Sequence, residues 1–467
     1  MSAMLRHHDR SRFHVIAYSD RNSSDAWTKR VASQVDEFRD VGAITDDDLA
    51  SILRQDQLAI LLELNGHTGG RNRLSVINSR VAPLQLSFLG YPNTAGVDEI
   101  DYFVTDQFCD PTELSDRLHM EKLLGLKPGF LCFDPWVETL PHRDSPSVQR
   151  GSIIFGVFNN PAKASPTVMS AWAAILKRVP DSTMLIKYGG KFRSEWLKDM
   201  WRSRFGASGV SIDRLQFLGP EPTISKHYER LASVDVALDT FPYQGTTTTL
   251  ESLAAGIPVL TMAGETYCRR ASSAIMLRLG FAELVAELVA DSVDDYVSRA
   301  VELSTNIDDL QNLRHRIQST FPASAICDGR EFVAELEATM RRLLEVQPRI
   351  VTCTGMPRSG STWSYNVVRQ LLESVDGKQN VTAQYREGAG GDEAIENALA
   401  ASAHQVIKLH YPQQLTMNAI RNGGVWNIYT FRDPVTALAS FREMFGGDIA
   451  SAARRIDISL LAAEEWK

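Results

Sequence analysis

Short apolar runs alternate with longer amphipathic segments along the first part of the chain. The runs at 13–19 (FHVIAYS), 58–64 (LAILLEL), 85–92 (QLSFLGYP) and 100–106 (IDYFVTD) predict strands, because they are brief and rich in apolar, β-compatible residues. Between them, TDDDLASILRQ at 45–55 predicts a helix, with Thr45 as its N-cap and acidic residues in its first turn.

A second block of the same kind begins at residue 152. Its predicted strands are SIIFGVF (152–158), TMLIKYG (183–189), LQFLG (215–219), VDVALDT (234–240) and IPVLTM (257–262), with helices such as 165–179 between them. Such alternation is typical of parallel sheets covered by helices on both faces. Two such blocks, joined by a polar, proline-bearing segment, predict a cleft whose ligands bind at the carboxyl ends of strands.

The last part of the chain changes character twice. Residues 306–346 are highly charged and helical in pattern, Pro348 closes that pattern, and a third strand–loop–helix block begins at RIVTCTG. We therefore predict four segments. They are a first α/β half over 1–135, a linker over 136–151, a second α/β half with closing helices over 152–346, and a third α/β domain over 347–467.

Composition and charge narrow the class of protein. The chain has 467 residues, of which 44% are hydrophobic and 23% charged, as in an ordinary soluble globular protein. A net charge of −8 argues against general nucleic-acid binding, and no apolar run is long enough to span a membrane. The cysteines lack CxxC spacing, which indicates reduced thiols in a cytoplasmic protein and no zinc site. They are Cys109, Cys132, Cys268, Cys327 and Cys353.

One stretch of the second block suggests a phosphate site. After the strand at 234–240 the chain turns at Gly245 and enters TTTTLESLAAG, where free backbone N–H groups and hydroxyls would meet at a helix start. Taken alone, the stretch fits helix capping by threonine equally well. Lys163 follows the first strand of the block and is expected at the same sheet edge, where it could neutralise a diphosphate. His227 and Arg230, three residues apart, share one predicted helix face.

Three longer stretches resemble the catalytic region of the O-GlcNAc transferases. They are LLELNGHTGGRN (61–72), FNNPAKASP (158–166) and LASVDVALDTFPYQGTTTTLESLAAGIPVLTMAG (231–264). The resemblance implies a GT-B fold of two Rossmann-like domains. It also implies transfer of N-acetylglucosamine from UDP-GlcNAc to serine or threonine hydroxyls, with inversion and without a metal. The acceptor is then expected to be a protein or peptide.

The resemblance also implies roles for individual residues. It assigns the diphosphate to Asn160 and to Lys163, whose charge would stabilise departing UDP. His227 and Arg230 would lie on the nucleotide side, and Glu251 would bind ribose. The phosphate-binding residues would be Thr246, Thr247 and Thr248, with threonine at 246 in place of the family's usual histidine. The loop at 90–96 would line the cleft, and His67 is a candidate acid/base or acceptor-side residue.

The sequence departs from the family's pattern in three ways. The family's histidine-containing segment ahead of these stretches does not occur in the sequence, and neither does its tetratricopeptide array. Ile224 stands where a lysine is expected near the nucleoside. These differences bear on catalytic competence more than on fold, and we expect the chain to be truncated at both ends.

The third block contains a second candidate phosphate site. GMPRSGSTW follows a predicted strand with small residues and precedes a helix, although it lacks the Walker A spacing. Together with VIKLHYP (406–412) and WNIYTFRDPVTALASF (426–441), it resembles the PAPS-dependent sulfotransferases over 349–467. The resemblance implies a P-loop-like α/β domain, incomplete at its C-terminus, that uses PAPS and a hydroxyl acceptor.

That second resemblance assigns the donor's 5′ side to one loop and its 3′-phosphate to a strand end and a helix. The 5′ residues are Arg358, Ser359, Gly360, Ser361, Thr362 and Trp363. Arg432 and Ser440 would hold the 3′-phosphate, and His410, beside Lys408, is the candidate base.

Three functions are compatible with these patterns. The leading hypothesis is an O-GlcNAc-type glycosyltransferase with an appended sulfotransferase domain. The second is a protein in which sulfotransfer alone survives, and the third is a non-catalytic nucleotide-binding scaffold. Binding of UDP versus adenosine 3′,5′-bisphosphate separates the first two, and the third predicts binding without turnover.

Overall fold

The structure is a computed structural model that describes residues 2–20, 25–68, 72–111, 113–134, 143–280, 282–345, 350–355, 365–366, 368–370, 381–386, 404–409 and 426–430. The chain divides into two compact units, Met1–Met340 and Arg341–Lys467. The first unit holds both of the α/β halves predicted for the region before residue 347. The observed division therefore falls close to the predicted start of the third domain.

The first half of the first unit consists of short parallel strands and their connecting helices. Its strands are β1 (Ile16–Ser19), β2 (Glu37–Asp40), β3 (Ile60–Glu63), β4 (Leu84–Ser87), β5 (Tyr102–Thr105) and β6 (Lys122–Gly125). Its helices are α1 (Ser2–His7), α2 (Ala26–Ala32), α3 (Asp46–Gln55), α4 (Leu74–Ile77) and α5 (Glu113–Leu118). β1 pairs with β2, and β3-β4-β5-β6 form a parallel sheet in that order. The predictions for β1, β3, β4 and β5 are confirmed.

Helix α3 begins as its sequence predicts. The hydroxyl of Thr45 accepts a hydrogen bond from the N–H of Asp48 at 3.2 Å, which satisfies one of the unpaired donors of the first turn. Leu49 and Leu53 are buried on the inner face of the helix and pack in one hydrophobic cluster with Val81. The N-cap therefore sets where α3 begins, and the buried leucines set which face packs against the core.

The second half of the first unit is built around a larger parallel sheet. Its strands are β7 (Ile154–Val157), β8 (Thr183–Lys187), β9 (Leu215–Leu218), β10 (Val236–Leu238), β11 (Val259–Met262) and β12 (Val289–Ala290). The first helices are α6 (Pro146–Arg150), α7 (Pro166–Arg178), α8 (Glu195–Ala207), α9 (Ile224–Leu231) and α10 (Thr247–Ala254). The sheet order is β12-β11-β10-β7-β8-β9, and all of its pairs are parallel. β7 lies between β8, which follows it in sequence, and β10, so the strand order reverses at β7. In open α/β sheets, ligands bind in the crevice at such a switch point.

Aromatic side chains fill the core beneath this sheet. Trp172 of α7 and Trp201 of α8 are fully buried and stack with ring centroids 5.8 Å apart. The indole N–H of Trp172 donates to the hydroxyl of Tyr296 at 3.2 Å, and that hydroxyl donates to the Asp239 carbonyl at 2.9 Å. The core is therefore tied by hydrogen bonds to the residue that follows β10.

The predicted linker contains helix α6, which is anchored to the second half. Its anchor is Asp235, a fully buried carboxylate just before β10. The carboxylate accepts from the hydroxyl of Ser145 at 2.6 Å, from the N–H of Ser147 at 2.8 Å and from Arg150 at 2.8 Å. Proline and polar residues suggested an irregular segment, but Ser145, Ser147 and Arg150 attach α6 to one buried acid.

The closing helices contact both halves of the first unit. They are α11 (Ala271–Arg278), α12 (Ala282–Leu288), α13 (Val293–Thr305), α14 (Ile307–Thr320) and α15 (Gly329–Glu345). Arg314 of α14 donates to the carbonyls of Ala232 and Val234 in the second half, at 3.0 and 2.9 Å. Phe332 of α15 stacks on Phe88 of the first half, with centroids 6.2 Å apart. The predicted helical region 306–346 is therefore two helices with separate partners.

The second unit contains one parallel sheet among its described residues. Its strands are β13 (Ile350–Gly355), β14 (Val381–Arg386), β15 (His404–Leu409) and β16 (Trp426–Thr430), in the order β14-β15-β13-β16. Across the whole described part of the chain, each helix is too short or too polar to traverse a lipid bilayer.

Candidate active site

The helix start predicted to bind phosphate lies beyond the carboxyl end of β10. Thr246 occupies the N-cap position of α10, but its side chain makes no capping hydrogen bond. Within the described residues, the hydroxyls of Thr246 and Thr247 have no protein partner. The backbone N–H groups of the first turn are therefore available to an anion, with the positive end of the helix dipole behind them.

The other two threonines of the run face the protein. The hydroxyl of Thr248 donates to Oδ1 of Asn159 at 2.8 Å, and that of Thr249 hydrogen-bonds with Ser272 at 2.7 Å. A Cβ on Gly245 would lie 2.6 Å from Oγ1 of Thr248, so only glycine allows this approach. The backbone N–H of Thr248 remains for an anion, while its hydroxyl holds Asn159.

A buried carboxylate fixes the loop that leads into this helix. Asp239 is 3% exposed. Its Oδ1 accepts from the N–H of Gly245 at 2.9 Å and from Nδ2 of Asn159 at 2.5 Å, and its Oδ2 accepts from the hydroxyl of Thr261 at 2.8 Å. Three segments of the chain thus donate to one acid, which preorganises the start of α10.

Asn159 joins this network, whereas its neighbour Asn160, predicted to contact the diphosphate, does not. The side chain of Asn160 accepts from the N–H of Ala162 at 3.1 Å and caps the short turn Pro161–Lys163. Asn159 is buried and joins Asp239 to the first turn of α10. The role predicted for Asn160 in diphosphate binding remains a prediction, and its observed contact is structural.

Lys163 extends from that turn toward the start of α10. Its Nζ donates to the carbonyl of Gln244 at 2.7 Å and lies 4.0 Å from the centroid of the Tyr243 ring. Burial lowers the pKa of Lys163, while nearby Asp239 and Cys268 oppose that shift. In the described part of the chain, no carboxylate forms a salt bridge with this ammonium, so its charge remains available to an anionic ligand.

His227, Glu251 and Lys187 form a hydrogen-bonded row at the same sheet edge. The Nζ of Lys187, the last residue of β8, lies 2.8 Å from Nδ1 of His227 on α9. The Nε2 of that ring lies 3.2 Å from Oε2 of Glu251 on α10. The structure therefore brings two predicted nucleotide-side residues together and adds a lysine that the sequence reasoning missed.

Arg230 lies one helical turn from His227 and forms an ion pair with Glu221. Its Nε donates to Oε1 of Glu221 at 3.0 Å, and the guanidinium is 43% exposed. The charges of Arg230 and Glu221 both act on Lys187, which places all three in one neighbourhood. The predicted grouping of Arg230 with His227 is thus consistent with the observed geometry.

The loop at 90–96, which was predicted to line the cleft, contacts the second half. Nδ2 of Asn93 lies 3.6 Å from the sulfur of Cys268, which belongs to the turn after β11. The carbonyl of Cys268 accepts from the N–H of Gln244 at 2.8 Å. Burial, together with the nearby Cys268 and Tyr91, raises the pKa of Tyr243 to about 12. Tyr91 and Asn93 of the first half therefore lie close to Tyr243 and Cys268, which lie close to Lys163 in the second half.

His67 lies in the first half beside this loop. Its Nε2 donates to the carbonyl of Ala95 at 2.8 Å, because a carbonyl can only accept. Its ring meets the edge of Tyr91, with centroids 5.2 Å apart. In the neutral ring Nδ1 therefore carries the lone pair, and Tyr91 and Tyr243 lie between His67 and Lys163.

Other predicted features fall outside what can be assigned to this site. Arg358, Ser359, Gly360, Ser361, Thr362, Trp363, His410, Arg432 and Ser440 lie outside the described residues. Within the described residues, no group of three or more His, Cys, Asp or Glu side chains could hold a metal ion.

Comparison with known proteins identifies the family. The model described as "Glycosyl transferase family 41" matches residues 1–150 and 135–336. A rice (Oryza sativa subsp. japonica) protein named "Probable UDP-N-acetylglucosamine--peptide N-acetylglucosaminyltransferase SPINDLY" is 36% identical over 347 residues, 73% of this chain and 37% of the rice protein. The Arabidopsis thaliana protein with the same description but the name SEC is 30% identical, over 72% of this chain and 34% of its own length. The chain thus spans little more than a third of these relatives.

A solved structure gives the same result for the fold. An O-GlcNAc transferase mutant from Thermobaculum terrenum superposes with a TM-score of 0.67 and 32% identity, covering 73% of this chain and 64% of the solved chain. The two α/β halves of the first unit, with their parallel sheets, therefore form a GT-B-like α/β fold. The predicted resemblance of this region is confirmed: the chain belongs to glycosyl transferase family 41.

Proposed function

We propose that the first unit transfers N-acetylglucosamine from UDP-GlcNAc to serine or threonine hydroxyls of a protein or peptide. The main support is the convergence of Lys163, the uncapped start of α10 and the His227–Glu251 pair at one edge of the second sheet. That edge offers positive charge for a diphosphate and a carboxylate for ribose hydroxyls. The names of the relatives and the family membership point to the same donor and acceptor.

In the proposed reaction, the acceptor hydroxyl attacks the anomeric carbon while the bond from that carbon to the β-phosphate oxygen breaks. Negative charge then grows on departing UDP, and Lys163 and the N–H groups of α10 stabilise it without a metal. The attack inverts the anomeric centre. His67 is the proposed proton acceptor, because Ala95 engages Nε2 and leaves the lone pair on Nδ1.

Calorimetric titration with UDP tests the donor site. Lys163→Ala should weaken UDP binding by about 1–3 kcal/mol, because one charge-assisted hydrogen bond to phosphate is lost. Lys177→Ala is the matched control, since Lys177 is exposed in the last turn of α7, at the other end of that helix from the site. Equal affinities for the wild type and Lys163→Ala would refute the assignment.

Turnover separates the transferase from a nucleotide-binding scaffold. Incubation with UDP-GlcNAc and a serine-containing peptide should release UDP in proportion to glycosylated peptide, and His67→Gln should slow release while sparing UDP affinity. Tight UDP binding without any transfer would favour the scaffold.

We also propose a PAPS-dependent sulfotransferase function for the second unit, as a second candidate function. The observation that favours it is the parallel sheet, in which β13 lies between β15 and β16. These strands end at Gly355, Leu409 and Thr430, on one edge of the sheet. PRSGSTW, His410 and Arg432 follow these strand ends directly in the sequence.

Calorimetry with adenosine 3′,5′-bisphosphate tests this second proposal. Arg432→Ala should lose nucleotide affinity, because the guanidinium is assigned to the 3′-phosphate. His410→Ala should keep affinity and lose sulfotransfer from PAPS, because a base acts in the transition state. Loss of binding in both variants would remove His410 from the role of base.

A further inference from the structure

Lys187 is an unusual lysine for its position. It is only 6% exposed, and its Nζ lies 2.8 Å from a ring nitrogen of His227. Among the described residues, no carboxylate oxygen lies within ion-pair distance of this Nζ. Lysines are rarely buried unless they are paired with an opposite charge, so the imidazole contact calls for a specific role.

The direction of the hydrogen bonds follows from the chemistry of the donors. An ammonium group can only donate, so Nδ1 of His227 must accept. The proton of the neutral ring is then on Nε2, which donates to Oε2 of Glu251 at 3.2 Å. Lys187 thereby selects one tautomer of His227, and that tautomer holds one oxygen of the Glu251 carboxylate.

We propose that Lys187 is a positioning residue for the donor nucleotide, acting through His227 on Glu251. The inference rests on the proposed UDP-sugar site, in which His227 and Glu251 contact the nucleoside. With Oε2 held by the ring, the carboxylate is oriented before ligand arrives, and Oε1 is left for ribose hydroxyls. Preorganisation of this kind raises affinity because the ligand does not have to order the site.

The charges around Lys187 are consistent with this role. Burial lowers its pKa, the carboxylates of Glu221 and Glu251 oppose that shift, and the guanidinium of Arg230 adds to it. Either the ammonium or the neutral amine has an N–H to donate to Nδ1. The chosen tautomer of His227 therefore does not depend on the charge of Lys187, and a neutral donor at this position should replace it.

Two substitutions in the full chain separate positioning from charge. Lys187→Met keeps the length of the side chain but has no donor, and UDP affinity should fall roughly tenfold. Lys187→Gln offers an uncharged amide N–H, and it should stay within about threefold of the wild type. An equal loss in the two variants would mean that Lys187 acts by its charge, which overturns the proposal.

Nitrogen-15 spectra of labelled histidine give a readout that a purely structural lysine would not change. The His227 signal, assigned by its loss in His227→Gln, should report the Nε2–H tautomer in the wild type and in Lys187→Gln. Lys187→Met should shift this signal, because Nδ1 loses its donor while Glu251 still accepts from Nε2. A wild-type neutral ring with its proton on Nδ1 overturns the inference whether or not Lys187→Met folds.

The same titrations distinguish this inference from the function on which it rests. If the wild type binds UDP and Lys163→Ala weakens binding, while Lys187→Met binds as the wild type does, the proposed function stands and the role of Lys187 is refuted. If the wild type does not bind UDP, both are refuted.

Discussion

Replacing Arg314 by methionine should destabilise the first unit. Arg314 is completely buried, and its guanidinium donates to three backbone carbonyls: Arg143 at 3.0 Å, Val234 at 2.9 Å and Ala232 at 3.0 Å. Methionine keeps the aliphatic volume and removes every donor. The Ala232 and Val234 carbonyls then lose this donor, whereas the Arg143 carbonyl keeps the hydrogen bond from the side-chain amide of Gln318 at 2.9 Å.

The expected loss of stability follows from the number of carbonyls that lose their donor. An acceptor that loses its partner in the interior costs about 1 kcal/mol or more, so the two carbonyls left without a donor give a loss of roughly 2–3 kcal/mol in the free energy of unfolding. Since the entropy of unfolding is about 2.1 cal/mol/K per residue, that loss lowers the melting temperature of the unit Met1–Met340 by roughly 3–4 °C. Ala232 is also the C-cap of α9, so UDP affinity should fall as His227 loses its support.

Urea unfolding followed by tryptophan fluorescence measures the effect, since Trp172 and Trp201 are buried in the same half. Arg316→Met is the matched control, because Arg316 lies on the same helix, is 38% exposed and contacts Glu287 at 3.6 Å. The control should change stability by less than about 1 kcal/mol, as for an exposed ion pair. Equal losses in the two variants would show that the carbonyl contacts of Arg314 contribute nothing net.

Three further outcomes are expected. Burial lowers the pKa of Lys163, so the ammonium loses its proton at a lower pH than an ordinary lysine does, and UDP affinity should fall as the pH rises through that value. The UDP affinity of Lys163→Arg, measured by calorimetry, should change less between pH 7 and 10. Asp239→Ala should reduce the free energy of unfolding by about 2–4 kcal/mol, because the buried donors of Gly245 and Thr261 lose their acceptor. A midpoint of urea unfolding equal to that of the wild type would contradict this. Thr45→Ala should cost about 1 kcal/mol through the lost cap of α3, whereas Thr45→Ser should cost little in the same assay.

Local patterns were sufficient to predict many of the regular elements. Continuous apolar runs identified β3 and β7, and Thr45 with its following acids identified α3, because these signals depend on neighbours in sequence. β2 was missed because Glu37–Asp40 has a single apolar residue and lies at the edge of a two-stranded sheet. Such a strand is defined by its partner, and its own composition carries no signal.

The site was predictable only where a residue type has one obvious use. Lys163 and the threonine run have recognisable affinity for phosphate, and they meet at the expected sheet edge. Asn159 and Asn160 are identical in kind, and only the backbone geometry after β7 decides which side chain turns toward Asp239. Lys187 resembles any lysine at a strand end until its burial and its contact with His227 are known.

The return of α15 to the first half determines how the two halves can move. After α14 of the closing region, the chain returns to the first half through α15, where Phe332 stacks on Phe88. A sequence-distant helix thus adds a second covalent and packed connection between the halves. Any separation of the Lys163 side from the loop at 90–96 has to strain this connection or break the Phe332–Phe88 contact.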